Sequence, residues 1–350
     1  MKTAVLLSGG VDSSVALSLL AHEGRHDLTA FYLRVWLEDE LSFLGDCPWE
    51  ADLESVRAVC DKLGVPLETV SLQSEYLERV VTPSLDELRA GRTPSPDLLC
   101  NQRIKFGEFL SRIDASYARV ASGHYAQIVE ESQTCLLKRS PDAVKDQTYF
   151  LSRLNQTQLG RALFPVGHLT KPEVRSLANE FDLPNKDRKD SQGICFLGKI
   201  SYPDFVRFHL KEQRGDIVEI ESGQRLGQHR GFWFYTIGQR EGLGLGGGPW
   251  YVADKDMEKN TVYVTHGTRR EALARNRFTA RDLHWISDPP GRTDLQLKIR
   301  HGPDLCNCRI GEAGQGRLTV EMDAADSGVA PGQYAVFYDG EICLGSGVIE

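Results

Sequence analysis

A chain of 350 residues, 41% of them hydrophobic, can bury more than one core, so two or three domains are the starting expectation. No run approaches the roughly 18 consecutive apolar residues of a helical membrane span, and Met1 leads within two residues into a strand-like run rather than a signal-peptide pattern. The net charge of −8 argues against a uniformly basic nucleic-acid binder, and eight cysteines scattered over the length exclude a small secreted disulfide scaffold. A reducing compartment suits those cysteines: the cytoplasm is expected, with a mitochondrion or plastid as the alternative if a transit segment is missing.

The opening run Thr3 to Leu7 is β-branched and aliphatic and meets Ser8-Gly9-Gly10, after which Val11, Val15, Leu19 and Leu20 fall at helical spacing. Leu28 to Trp36 predicts a second buried strand, Asp52 to Leu63 a helix, Pro66 to Ser71 a third strand and Tyr76 to Arg89 another helix. Arg119 to Ala126 predicts a further strand, and 153 to 181 helices with a turn around Phe164-Pro-Val-Gly167. Alternation of this kind means a parallel sheet covered by helices. After about residue 200 helical periodicity fades. Short strands broken by Gly238 to Gly248 follow, then alternating runs at Leu295 to Ile299, Arg317 to Met322 and Tyr334 to Tyr338 that predict a small antiparallel barrel. The expected architecture is a Rossmann-like parallel-sheet domain over 1–203, a small central domain over 204–274 and a C-terminal antiparallel β-barrel over 275–350.

Charge is unevenly placed. Residues 1–100 carry 8 basic and 17 acidic side chains, whereas 101–215 carry 18 and 13. A second basic zone, 265–300, holds eight Lys or Arg, including Arg269, Arg270, Arg275, Arg277, Lys298 and Arg300, against four acidic residues. Such zones fit a polyanionic partner, or an uneven solvated surface.

Ser8-Gly9-Gly10-Val11-Asp12-Ser13-Ser14 lies between the first strand and the first helix, where free N–H groups and the helix dipole favour an anion. Glycines permit close approach of a phosphate, serines donate, and Asp12 could reach a magnesium ion, although no fixed metal site is expected. A tight turn with incidental serines is the bland alternative. No Gly-Lys-Ser/Thr follows, so the loop is not of the Walker A kind. It resembles the pyrophosphate loop of the ATP pyrophosphatases, which split ATP between its α and β phosphates.

Two cysteines stand out. Cys100 follows the proline-rigid Thr93-Pro-Ser-Pro96 turn at a helix start near Arg103 and Lys105, and Cys195 follows Lys186, Arg188 and Lys189; both settings lower a thiol pKa. Cys60, Cys135 and Cys343 lie in apolar runs and are expected to be buried, as is Cys47. Cys306-Asn-Cys308 is better explained by strand alternation than by zinc.

Beyond the loop, Pro96-Asp97-x-x-Cys100-Asn101, Ser122-Gly-His-Tyr125, Lys145-Asp146-Gln147, Gly193-Ile-Cys-Phe-Leu-Gly198, Phe234 to Arg240 and Pro331 to Tyr338 occur in order. Together these motifs resemble the tRNA-specific 2-thiouridylase family over essentially the whole chain. The resemblance implies ATP-dependent thiolation of a wobble uridine at C2, through adenylation and sulfur delivery from a cysteine persulfide. It implies that Cys195 carries the persulfide, that Cys100 pairs with it in a disulfide, and that Asp97 acts at the base. ATP would meet Leu6, Leu7, Ser8, Gly9, Gly10, Val11, Asp12, Ser13, Leu33 and Gly123. The tRNA would meet Ser95, Pro96, Asp97, His124, Lys145, Asp146, Gln147, Arg300, His301 and Gln333. The implied partners are tRNA and a persulfide-donating sulfur carrier or cysteine desulfurase, with no membrane and a monomeric enzyme. Leu7, Ser95 and His301 depart from the Met, Asn and Tyr expected of the family, which affects the base pocket and one tRNA contact. The rival readings are a small-molecule amidating pyrophosphatase, a non-enzymatic RNA-binding module and an iron–sulfur thiolase. The lack of any Cys-x-x-Cys pair counts against the last.

Overall fold

The computed structural model describes residues 1–24, 26–35, 49–189 and 201–350. The first strands are β1 (Lys2–Leu7), β2 (Asp27–Arg34), β3 (Leu67–Ser71), β4 (Arg119–Ala121), the hairpin β5 (Ala126–Glu131) and β6 (Thr134–Arg139), and β7 (Ala162–Leu163). Five of them form a wholly parallel sheet in the order β3-β2-β1-β4-β7. Because helices cover both faces, β1 is apolar at nearly every position. Ala4 and Leu6 enter one core with Phe31 and Phe109, whereas Val5 and Leu7 enter another with Leu17, Val56 and Val59.

Helix α1 (Val11–Glu23) follows β1 and stops at Gly24, whose φ of 66° supplies the left-handed cap. Helix α2 is Trp49–Leu63. Two further helices each contain a π segment. In α3, Gln73–Tyr76 and Thr82–Arg89 flank Leu77–Val81; in α4, Pro96–Leu99 and Phe109–Arg112 flank Cys100–Glu108. A π turn widens the helix and shifts its faces, which a 3.6-residue pattern cannot reveal. The remaining helices are α5 (Thr148–Leu151), α6 (Gln156–Arg161), α7 (Lys171–Glu180) and α8 (Tyr202–Leu210). No helix among the described residues is long and apolar enough to cross a membrane.

The next strands, β8 (Gly215–Glu219), β9 (Arg225–His229), β10 (Trp250–Asp256) and β11 (Thr261–His266), form a separate sheet in the order β10-β11-β8-β9. The last six are β12 (Arg275–Trp285), β13 (Asp294–Lys298), β14 (Cys306–Gly314), β15 (Arg317–Asp326), β16 (Tyr334–Asp339) and β17 (Ile342–Ile349). They close as an antiparallel barrel through pairing of β12 with β17, around Phe278, Leu297, Ile310, Val320 and Phe337. The parallel-sheet domain, the central unit and the terminal barrel expected from the sequence are all present.

The predicted strand Arg119 to Ala126 is two strands. β4 ends at Ala121, the chain turns through Ser122-Gly123-His124, and β5 begins a hairpin whose second strand pairs with β17 (Leu137↔Cys343, Lys138↔Ile342). The hairpin thus extends the barrel sheet from the N-terminal half of the chain. A buried ion pair strengthens this seam: Lys298 Nζ of the barrel lies 2.9 Å from Asp146 Oδ2, both side chains wholly inaccessible to solvent, with Arg139 Nε 3.0 Å from the same oxygen.

Candidate functional site

Strand order places β1 beside β4 while the chain leaves β1 towards β2, so the ends of β1 and β4 flank the point where connections diverge to opposite sides. Ligands of open α/β sheets bind in that crevice. The loop after β1 is Ser8–Gly10; the loop after β4 is Ser122–His124. They touch: a Cβ on Gly123 would lie 2.6 Å from Ser13 N and 2.8 Å from Asp12 C, so only glycine fits against the first turn of α1.

The pyrophosphate-type loop is held from outside. Gly9, at φ 78°, has a carbonyl that accepts from Ser55 Oγ at 3.1 Å, Asn185 Nδ2 at 2.8 Å and Arg188 Nη1 at 3.1 Å. Arg188 also pairs with Asp52 on α2. Within the loop, Ser13 Oγ accepts from Ser8 N and donates to Gly10 O, and Ser14 Oγ donates to Gly10 O. Gly10 precedes α1 without a side-chain cap, and an uncapped helix N-terminus of this kind favours an anion. Leu6, Leu7 and Val11 are buried beneath this mouth, and Leu33 lies half-buried near the end of β2.

Asp12 is not solitary. Its Oδ1 accepts the Tyr125 phenol at 2.8 Å and lies 2.6 Å from the Lys171 ammonium. Sequence reasoning passed over Lys171, although the Thr170-x-x-Glu173 capping box that places it on the first turn of α7 is legible. It also passed over the clamp of Ser55, Asn185 and Arg188, for which no local signal exists.

A second group lies along α4. Burial raises the Asp97 carboxyl above the ordinary carboxylate range, with Lys105 partly offsetting it. Burial, seconded by the Lys105 charge, holds His124 well below the usual imidazole value, so it is neutral at physiological pH; its Nδ1 is 2.8 Å from Ser122 Oγ. Cys100 is 4% exposed and packs in the main core, and Arg103 directs Nη1 to the Arg79 carbonyl of α3. Cys195, its flanking Gly193–Gly198 motif and Cys47 lie outside the described residues. Cys60, Cys135 and Cys343 are buried; burial pushes the Cys60 thiol up to about 11 and raises that of Cys343 further. Cys308 is buried and Cys306 half-buried, as alternation on β14 requires. No group that could hold a metal occurs among the described residues.

The segment entering α4 is pressed on the barrel. Thr93 N donates to Pro331 O at 2.8 Å, and a Cβ on Gly332 would meet Thr93 N at 2.9 Å. Ser95 hydrogen-bonds the Tyr149 phenol, whose hydroxyl donates to Tyr334 O. The His301 ring packs on Phe150 in a tilted arrangement, with centroids 4.8 Å apart and planes 31° from parallel. Gln333 has a buried Oε1 with no partner among the described residues. Ser95, Pro96, Gln333, Arg300 and His301, some 200 residues apart in sequence, therefore share one neighbourhood. Arg300 is engaged by Asp326 at 2.6 and 3.0 Å, and Asp146 is interior rather than exposed. Lys145 is half-buried, and Gln147 splints Tyr125, accepting its N–H at 2.9 Å and donating to its carbonyl at 2.9 Å.

Residues 1–199 match the tRNA methyl transferase HUP domain, 203–266 the tRNA methyl transferase PRC-barrel domain and 275–349 the aminomethyltransferase beta-barrel domain. The chain is 44% identical to tRNA-specific 2-thiouridylase MnmA 1 of Bacteroides thetaiotaomicron, over all of its own length and 99% of the relative's. It is equally similar, with the same coverage, to the tRNA-specific 2-thiouridylase MnmA of Parabacteroides distasonis. Identity to the tRNA-specific 2-thiouridylase MnmA of Porphyromonas gingivalis is 42%, again over 100% of this chain and 99% of that one.

Proposed function

The chain belongs to the tRNA-specific 2-thiouridylase family, and from that premise we propose that it is a tRNA-uridine 2-sulfurtransferase driven by ATP. The observation that carries the reading is the contact of the Gly123 loop with the loop and first turn that follow β1, which leaves a glycine-lined helix N-terminus at the sheet's crevice.

The C2 carbonyl of uridine is a poor electrophile because oxide is a hopeless leaving group. Attack of O2 on the α-phosphate of ATP makes it an adenylate and releases pyrophosphate, which N–H groups of the loop and of the first turn of α1 stabilise. The terminal sulfur of a persulfide on Cys195 then attacks C2, and AMP departs with the oxygen. Cys100 attacks the Cys195 sulfur, breaks the sulfur–sulfur bond, leaves sulfur on the base and forms a Cys100–Cys195 disulfide, which an external thiol reduces. Release of sulfide from the persulfide before it reaches C2 is the other order of events. A sulfur carrier or cysteine desulfurase reloads Cys195. Asp97, inclined to hold its proton, acts at the base.

The uridine would lie near Ser95–Asp97, flanked by Gln333, Arg300 and His301 of the barrel and by Lys145–Gln147. Asp12 is the carboxylate of the loop, and with Oδ1 already held by Lys171 and Tyr125 the donors do not fit a resident magnesium site. Magnesium enters with the ATP it accompanies. The enzyme acts as a cytoplasmic monomer in this reading.

The test is incubation with radiolabelled ATP, unmodified tRNA and a persulfide donor. Pyrophosphate release stimulated by tRNA, with 2-thiouridine appearing in the nucleoside digest, is expected. Pyrophosphate release indifferent to tRNA favours a small-molecule pyrophosphatase instead. Full thiolation by Cys195→Ser or Cys100→Ser would remove the sulfur-relay roles.

A further inference from the structure

Two hydrogen-bonded lines run from the segment 142–147 to Asp12. In the first, Asp142 Oδ1 accepts from the N–H groups of Val144 and Lys145, each at 3.1 Å, while its Oδ2 accepts the Lys171 N–H at 3.0 Å. The Lys171 side chain then reaches Asp12 Oδ1. In the second, Gln147 grips Tyr125 at both its N–H and its carbonyl, and the Tyr125 phenol donates to the same Asp12 oxygen. Asp146, between the two starting points, is bound to Lys298 of the barrel. Tyr125 is 1% exposed and the Lys171 side chain 13% exposed, so neither donor can swing into water without disrupting its surroundings. Both donors on Asp12 are thus tied by hydrogen bonds to segment 142–147.

We propose that Tyr125 and Lys171 are positioning residues for nucleotide use: they set Asp12 against the pyrophosphate loop according to the register of segment 142–147, so that ATP and tRNA bind with positive coupling. The inference rests on Lys145–Gln147 being a tRNA contact. The loop backbone is clamped at Gly9 by Asn185 and Arg188, whereas the direction of the Asp12 carboxylate is set by Tyr125 and Lys171, the two donors tied to segment 142–147. Linkage makes the effect reciprocal: whatever tRNA does to ATP affinity, ATP does to tRNA affinity.

The experiment measures the dissociation constant of α,β-methylene-ATP, which cannot be cleaved between those phosphates, with and without an unmodified tRNA transcript. The whole chain is used, as wild type, Tyr125→Phe, Lys171→Met and Lys171→Arg. About a tenfold tightening by tRNA is expected for the wild type, a typical coupling. The ratio falls below about two in Tyr125→Phe and Lys171→Met and returns in Lys171→Arg. A purely structural role lowers the melting temperature and leaves the ratio alone. A wild-type ratio of one, or an unchanged ratio in folded Tyr125→Phe, which lacks a single oxygen, overturns the inference. Absence of 2-thiouridine formation by the wild type refutes the functional reading whatever the ratio. Thiolation with an unchanged ratio in the variants refutes only the coupling.

Discussion

Replacing Gly123 by alanine places a methyl carbon 2.6 Å from Ser13 N, 2.8 Å from Asp12 C and 2.9 Å from Ser13 Cα. Ordinary contact begins near 3.4 Å, so the closest approach is about 0.8 Å too short. All three atoms are main chain and cannot rotate away. The loop after β4 and the first turn of α1 must separate, and with them the N–H groups at the start of α1. Overpacking of this kind costs about 1–3 kcal/mol of stability. A misplacement approaching 1 Å at a reacting centre costs about 100-fold in rate. We expect Gly123→Ala to fold, with a reduced urea midpoint, weaker ATP binding and tRNA-stimulated pyrophosphate release down about 100-fold. Gly160→Ala is the control: in α6 its Cβ would meet only Cys135 Sγ at 3.9 Å, and activity should be retained. Urea titration, equilibrium ATP binding and pyrophosphate release on the three proteins provide the assay. A Gly123→Ala enzyme within threefold of wild type in rate and ATP affinity would refute the close-contact argument.

Lys298→Met leaves the buried Asp146 with Arg139 as its one cationic partner among the described residues, beside the Thr148 hydroxyl, and should cost about 3–5 kcal/mol by urea unfolding, whereas Lys298→Met/Asp146→Asn should cost less than the sum of the singles. Burial opposes the Asp146 charge, but Lys298, Thr148 and Arg139 together hold its carboxyl below the ordinary range. Its contribution is thus present above the unfolded value of about 3.9 and lost as pH falls through the lower folded value. The stability gap between wild type and Asp146→Asn should close in strong acid, and a gap constant with pH would contradict this. Asp97 has the opposite sign: burial raises its carboxyl, so the proton-bound form is favoured in the fold and that stability is lost as pH rises through the folded value. Asp97→Asn should raise the urea midpoint at pH 7 but not at pH 3, while thiolation falls about 100-fold; a lowered midpoint at pH 7 would show that the charge is accommodated. Within the basic zone, Arg281, Arg292, Lys298 and Arg300 each face a carboxylate, whereas Arg275 and Arg277 are exposed and make no ion pair among the described residues. Arg275→Ala/Arg277→Ala should therefore reduce the salt slope of tRNA affinity by up to about 2, and an unchanged slope would place the RNA elsewhere.

Much of this protein is legible in its residues taken in order. The apolar run of β1, the Ser8–Gly10 turn and the helical spacing after it announce a strand, a glycine turn and a helix, because each depends on neighbours within a few positions. Alternation in 295–299, 317–322 and 334–338 announces a barrel for the same reason. What the order of residues left open depends on contacts between distant segments. The hairpin Ala126–Arg139 extends the barrel sheet through β17, two hundred residues away, and nothing within the hairpin names that partner. Lys298 counts as part of a basic zone in sequence, yet it is wholly buried because Asp146 waits for it across the seam. The Gly9 carbonyl gathers Ser55, Asn185 and Arg188, and Asp12 gathers Tyr125 and Lys171, from elements with no periodic relation to the loop. Local pattern determines which surfaces must be buried and which backbone groups are left open. Only packing in three dimensions decides which charges and donors meet them, since the strength of those interactions depends on distance and burial rather than on separation along the chain.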